Sequence, residues 1–262
     1  MAQAPNGQLV SAEIVLATTG LCKDFGALRV TDGVSLELAK GARRALIGPN
    51  GSGKTTLINL LAGTLAPTSG RILLHGRDVT RSSAQRRVRH GLARTFQITT
   101  LFPDLTPIEA VTMAVCQRRG VGGVLFRPLR AQSDAIDEAY ALLQEVRLAE
   151  CCTQRTAELA YGRQRLLEIA LALAAKPSVL LLDEPAAGVP QSESVEILDV
   201  IARLPSETAV LFIEHDIDLV FRFAERITVL VAGRVLCEGT PGEIARDPEV
   251  RRVYLGDDVH AA

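Results

Sequence analysis

The run Gly48-Pro49-Asn50-Gly51-Ser52-Gly53-Lys54-Thr55, continued by Thr56, has the spacing G-x-x-x-x-G-K-S/T. Glycines at these places let backbone N–H groups approach a phosphate chain closely, and the start of a following helix favours its negative charge. In such a loop Lys54 reaches the β- and γ-phosphates of a nucleotide, and the Thr55 hydroxyl sits on Mg²⁺. Far downstream, Val179-Leu180-Leu181-Leu182-Asp183-Glu184-Pro185 is an apolar run that ends in two carboxylates. A strand covered on both faces in a parallel sheet reads this way, and acids at its carboxyl end lie where α/β sheets bind ligands. Asp183 is then a natural second partner of the Mg²⁺, and Glu184 is placed to polarise an attacking water. An Asp-Glu pair can also open a helix. The upstream loop tips the reading toward nucleotide chemistry.

Several elements must position these groups. Arg43 to Ile47 reads as a short buried strand, and Thr55 to Gly63 as a helix with Leu57, Leu60 and Leu61 on one face. Upstream, Val34, Leu36 and Leu38 alternate with Ser35, Glu37 and Ala39 after a turn signal at Asp32-Gly33, so Ile14 to Lys40 is expected to be β. Gly70 to Gly76 reads as a further strand. From about residue 99 to 177 the pattern becomes helical, with Ile136, Tyr140, Leu143 and Val146 on one expected face and Leu166, Ile169, Ala170 and Leu173 on another. The Gly-rich stretch from Gly120 to Pro128 interrupts it. Strands return at Val179–Leu182, Ala209–Ile213 and Ile227–Val231, with a helix over Glu193–Leu204 between the first two. That alternation implies a parallel sheet. Ala232-Gly233 reads as a hairpin turn into Arg234–Glu238.

Composition excludes other classes. The chain has 262 residues, enough for one domain with a sub-domain. Lys and Arg number 29 against 30 Asp and Glu, which argues against nucleic-acid binding by bulk charge. Hydrophobic residues make up 47%, yet no apolar run is as long as a membrane span, and Met1 to Leu9 lacks the basic and apolar regions of a signal peptide. The expectation is a cytoplasmic protein. The five cysteines, Cys22, Cys116, Cys151, Cys152 and Cys237, include no C-x-x-C pair, so neither disulfides nor zinc is expected.

Further motifs in register make the chain resemble the ATP-binding subunits of ABC transporters. Thr95-Phe96-Gln97 looks like that family's Q-loop, Leu159-Ala160-Tyr161-Gly162-Arg163-Gln164-Arg165 like its signature, and Glu214-His215-Asp216 like its switch histidine. Phe25, in Lys23-Asp24-Phe25-Gly26, matches the aromatic residue that stacks on adenine. The resemblance implies an α/β fold of P-loop ATPase type, in which a mostly parallel sheet is joined by an N-terminal antiparallel β subdomain. A helical subdomain, inserted over 99–177, carries the signature. It also implies roles: Glu184, His215 and Gln97 in catalysis, and Thr55, Gln97 and Asp183 at Mg²⁺. ATP contacts would come from Phe25, from Gly48 through Thr56, and from Ala160, Tyr161, Gly162 and Gln164 of an opposing subunit. A second ATPase subunit, identical or related, is therefore expected, together with a separate permease and, indirectly, a solute-binding protein. The stretches Tyr161–Ala170, Asp183–Gly188, Glu214–Val220 and Tyr254–Asp257 resemble the ATPases of branched-chain amino acid importers, a group that also serves other small polar solutes. These features place the chain at the cytoplasmic face of the membrane. A soluble ABC ATPase acting as a scaffold is the alternative.

Two positions depart from the family pattern. Ala160 stands where the signature usually carries Ser, which removes a hydroxyl donor to the γ-phosphate. Pro190 stands where related chains place Asn or Asp, in the loop that crosses to the partner, and proline brings no N–H. The cluster Arg81, Arg86, Arg87, Arg89 and Arg94 is expected to be a solvated helix face, with docking to a permease loop or to anionic lipid as alternatives.

Overall fold

The computed structural model describes residues 13–95, 101–120 and 132–255. Gln97 and the Gly-rich stretch beyond Gly120 lie outside the described residues, as does the end of the chain from 256.

Two sheets form the frame. The first has four strands in the order β2-β1-β4-β5: β1 Ile14–Phe25, β2 Leu28–Ala39, β4 Ser69–Leu74 and β5 Arg77–Asp78. All its pairings are antiparallel. The second has six strands in the order β10-β9-β3-β8-β7-β6: β3 Arg43–Ile47, β6 Leu92–Arg94, β7 Val179–Asp183, β8 Ala209–Ile213, β9 Arg226–Val231 and β10 Arg234–Gly239. It is parallel except for the β9–β10 hairpin. The α/β class, with a mostly parallel sheet and an antiparallel N-terminal partner, is therefore as the sequence implied. The hairpin turn at Ala232-Gly233 forms with both residues at positive φ.

Strands β3, β7 and β8 are buried along their whole length. Two buried arginines in β3 need partners. Arg43 donates to the carbonyls of Gly41 (2.9 Å) and Thr208 (2.6 Å), and Arg44 reaches Glu238 at 2.8 Å. Helix α1 (Lys54–Ala62) follows β3. Helix α2 (Ala84–Arg89) precedes β6. Between β6 and β7 the described chain is helical: α3 Pro107–Arg118, α4 Ser133–Glu145 and α5 Tyr161–Leu173. Thr106 and Glu109 form a capping box at the start of α3. The last helices are α6 (Gln191–Ala202), α7 (Ile217–Phe223), α8 (Pro241–Arg246) and α9 (Pro248–Leu255).

Three sequence expectations are corrected. Asp32-Gly33 is not a turn; it lies inside β2, and the chain reverses at Gly26-Ala27. Gly33, at φ 67°, instead accommodates a register shift in β2, and the Asp32 amide bonds to the Gly233 carbonyl across to the second sheet. In α4 the buried face is Ala135, Ala139 and Leu143, while Tyr140 is 43% exposed. Small alanines let α4 sit close to its neighbours, and the bulky residues one step along the helix turn outward. The arginine cluster is not one solvated face: Arg87 is 1% exposed and Arg94 is engaged internally, while Arg81, Arg86 and Arg89 are exposed.

Candidate functional site

The loop from Gly48 to Gly53 joins β3 to α1, and its geometry explains its glycines. A Cβ on Gly48 would lie 2.1 Å from the Leu230 carbonyl oxygen, and one on Gly53 would lie 2.6 Å from that of Val30. Gly51 and Gly53 have φ of 77° and 99°, where side chains are strained. Gly53 caps α1 without a side chain, so the first amides of the helix are left to a ligand. Lys54 is 6% exposed and folds back to donate to the carbonyls of Gly48 (2.7 Å) and Pro49 (3.1 Å). Burial lowers its pKa below that of a free lysine, and the Glu184 and Asp183 carboxylates pull it back up.

Asn50 through Thr56 line a cleft of about 240 Å³ together with Val30, Glu184 and His215. The second motif thus meets the first, although about half of the chain separates them. At the end of β7, Asp183 is buried. Its Oδ2 accepts from Arg94 Nη2 at 2.9 Å, while its Oδ1 has no partner. Burial pushes its pKa up, and Arg94 opposes that. Glu184 takes a left-handed φ of 52°, which turns its side chain toward the cleft wall. Its Oε1 lies 2.6 Å from His215 Nε2. His215 precedes α7, which is capped by the Asp216 side chain.

The sequence marks Glu214 only as part of a motif, and the structure gives it a distinct place. It is 6% exposed; its Oε1 accepts from the Ala186 amide at 2.9 Å and its Oε2 from the His215 amide at 3.3 Å. It therefore ties the loop after β7 to the loop after β8. Burial raises its pKa. A second acid directly before the histidine was the available signal. Val30 was missed altogether, since nothing in its type marks it as part of a ligand wall.

Other predicted residues lie apart from the cleft. Phe25 is 49% exposed at the end of β1, with the Lys23 ammonium 5.1 Å from its ring centre. Ala160 is the N-cap of α5 and offers no side-chain hydrogen bond. Tyr161 and Gly162 begin that helix, and a Cβ on Gly162 would run into Glu193 of α6. Gln164 points back, donating to the Leu159 carbonyl at 3.0 Å. Pro190 is the N-cap of α6, again without a side-chain cap. Gln97 lies outside the described residues.

The orphaned Oδ1 of Asp183 and the Thr55 hydroxyl fit a cation that completes its shell with phosphate oxygens and water. No group of three or more His, Cys, Asp or Glu among the described residues holds a metal by itself.

The ABC transporter family model matches residues 31–187, which include the loop, Asp183 and Glu184. The chain belongs to the ABC transporter family. A second model, the branched-chain amino acid ATP-binding cassette transporter, matches residues 234–260 of this ABC ATPase. It is 43% identical over 250 residues to the high-affinity branched-chain amino acid transport ATP-binding protein LivG of Salmonella typhimurium, covering 93% of this chain and 98% of that one. The corresponding protein BraF of Pseudomonas aeruginosa is 38% identical over 252 residues, with the same coverage. Among solved structures, a nucleotide-free ATP-binding cassette superposes with a TM-score of 0.80 at 27% identity, covering 93% of this chain and all of that one. An ATP-binding cassette in its ADP conformation gives 0.80 at 28% identity over 93% and 99% of the two chains. The chain is an ATP-binding cassette ATPase of the transporter type.

Proposed function

We propose that this ATPase powers uptake of branched-chain amino acids, or of related small polar solutes, through a separate permease at the cytoplasmic face of the membrane. Two similarities support the cargo: the relatives are named for branched-chain amino acid transport, and the second family model covers the chain's last part. The observation that carries the hydrolytic mechanism is the 2.6 Å contact between Glu184 and His215 on the wall of the P-loop cleft.

Lys54 exchanges the Gly48 and Pro49 carbonyls for β- and γ-phosphate oxygens, and the free amides at the start of α1 take the rest of the charge. Thr55 and Asp183, with Gln97, would hold Mg²⁺, which would supply positive charge against that developing on the phosphates. Glu184 accepts the proton of the attacking water, and His215 holds that carboxylate in place. Ala160, Tyr161 and Gly162 act on the ATP of a second ATPase subunit through the free amides that begin α5. Phe25 is the exposed plate for adenine.

Permease docking is supported by a groove beside the helical segment that is apolar around Leu101, Phe102 and Met113 and mixed around Arg89 and Arg118. Val88, Phe102 and Met113 are 43%, 64% and 47% exposed. They line two adjoining clefts of about 680 and 190 Å³, which share Ala114 and Leu171. No helix among the described residues is long and apolar enough to cross a membrane, so a transporter needs membrane-spanning partners. The test is reconstitution with membrane-spanning subunits and a solute-binding protein of a branched-chain amino acid importer from the same cell. ATP-dependent accumulation of leucine inside vesicles, absent with Glu184→Gln, is the expected result. Failure to co-purify with any membrane-spanning subunit would favour the soluble scaffold.

A further inference from the structure

Helix α2 has two faces with different partners. Gln85, Val88 and Arg89 line the larger groove. Arg87, on the opposite side, is 1% exposed and is among the largest fully buried side chains of the molecule. Its guanidinium donates to the carbonyls of Leu60 (2.6 Å), Leu61 (2.7 Å) and Thr80 (3.0 Å), and its Nε donates to that of Ser82 (3.2 Å). Leu60 and Leu61 are in the last turn of α1, where carbonyls lack an i+4 partner and the dipole favours a cation; Leu60 also accepts from the Gly63 amide at 3.2 Å. Gly63 completes the seat: a Cβ there would lie 2.8 Å from Arg87 Nε and 3.0 Å from the Ser82 carbonyl oxygen. Burial lowers the Arg87 pKa to about 10, which leaves it charged at neutral pH.

The other end of α1 is the P-loop, and Lys54 is its first residue. A single rigid rod of about 13 Å therefore joins the phosphate site to the Arg87 clamp, and one short helix joins the clamp to the groove. We infer that Arg87 is a positioning residue that couples occupancy of the groove to the P-loop helix, by a route separate from Gln97. The inference rests on the groove being the permease dock, but its structural half does not. Coupling between two sites is reciprocal, so nucleotide at the P-loop must also be felt at α2. The contact set suits transmission: four directed bonds, two to carbonyls of α1 and two to carbonyls of the turn before α2, in a buried site, leave the guanidinium little freedom to absorb a shift of either helix.

Amide hydrogen exchange on the full chain, with and without ADP and Mg²⁺, tests the relay. In the wild type, nucleotide slows exchange in both α1 and α2, the latter by about fivefold or more, the low end of ordinary coupling free energies. Arg87→Lys keeps the charge but loses the fork. Gly63→Asn tolerates the positive φ and presses on Arg87 without removing it. Both variants keep the nucleotide effect in α1 and lose it in α2. An α2 response that persists in both, or is absent from the wild type, overturns the relay, whereas a variant that merely loosened the fold would lose protection in both helices. Val88→Glu, in the larger groove itself, serves the other half: it releases the co-expressed membrane-spanning subunits while the α2 response to ADP stays. Retention of those subunits would overturn the docking reading and leave the relay from P-loop to α2 standing.

Discussion

Arg94 and Asp183 form a buried ion pair, 2.9 Å from Nη2 to Oδ2, in which the aspartate side chain is wholly shielded from solvent. The same guanidinium reaches Asn59 of α1 through Nη1. One oxygen of Asp183 is thus held and the other left free. Removing one partner of a buried pair strands the remaining charge, so Arg94→Met is expected to cost about 3–5 kcal/mol of stability. Urea denaturation of the two proteins measures it. A loss within the range of ordinary surface substitutions would mean that Asp183 is neutral or hydrated.

Glu184→Gln keeps the side-chain shape and removes the base. Turnover is expected to fall by about 10²- to 10⁴-fold, the usual contribution of general base catalysis. ATP binding, read by calorimetry with Mg²⁺, should persist. Near wild-type hydrolysis would move the base role elsewhere, with His215 first in line.

Ala160→Ser has two effects that can be separated. Ala160 is the N-cap of α5, so a serine there should accept from that helix's own amides and stabilise the protein by about 1 kcal/mol without nucleotide. If the hydroxyl also donates to a partner's γ-phosphate, ATP should tighten dimerisation by up to about tenfold while ADP should not. Analytical ultracentrifugation with each nucleotide distinguishes them. A thermal gain with no ATP-specific tightening would confine the residue to capping.

Glu138 of α4 faces three cations: Arg118 at 2.7 Å, Arg119 at 2.5 Å and Lys176 at 3.0 Å. Its partial burial alone would raise its pKa, but hydrogen bonds from these three bring it down from 4.5 to about 2. A carboxylate whose pKa is depressed by folding stabilises the fold above its unfolded value and loses that contribution as pH falls. Glu138→Gln should therefore destabilise at neutral pH, and the gap to wild type should shrink between pH 4.5 and about 2. A gap that is constant over this window would show that the ion pairs contribute nothing.

Within the cluster from Arg81 to Arg94, attachment of the isolated chain to lipid would rest on Arg81, Arg86 and Arg89, because Arg87 and Arg94 are engaged inside the protein. Flotation with phosphatidylglycerol vesicles should be weak and should vanish as salt screens these charges. Strong, salt-resistant flotation without membrane-spanning subunits would contradict docking through the groove.

The sequence made most of the frame legible because its signals were local. The strand before the P-loop, the apolar run into Asp183 and the two return strands all stand where patterning puts them. What stayed hidden depends on contacts between distant segments. An arginine is a surface residue by default, and nothing near Arg87 in the sequence shows that it meets the carbonyls that close α1. Asp32-Gly33 carries a turn's chemistry, yet the β1–β2 pairing holds it in a strand. Tyr140 fits the helical period of α4, but the residues that pack are the alanines beside it. For the site, the two carboxylates and the histidine were visible as types, while the 2.6 Å contact that joins Glu184 to His215 needed the parallel β7–β8 pairing.

The strand that carries the P-loop, β3, sits between β8 and β9 and pairs with both in parallel. Those neighbours come from the last quarter of the chain. During synthesis, the N-terminal antiparallel sheet can close on itself early, from contacts near in sequence. The phosphate loop cannot be held in shape until β8 and β9 have left the ribosome, because pairings of such long sequence separation form late. The cell's nucleotide pool is thus a ligand that the chain can engage only once these strands have been made. A fragment ending before β8 should leave the central strand without either partner, as prey for chaperones and proteases.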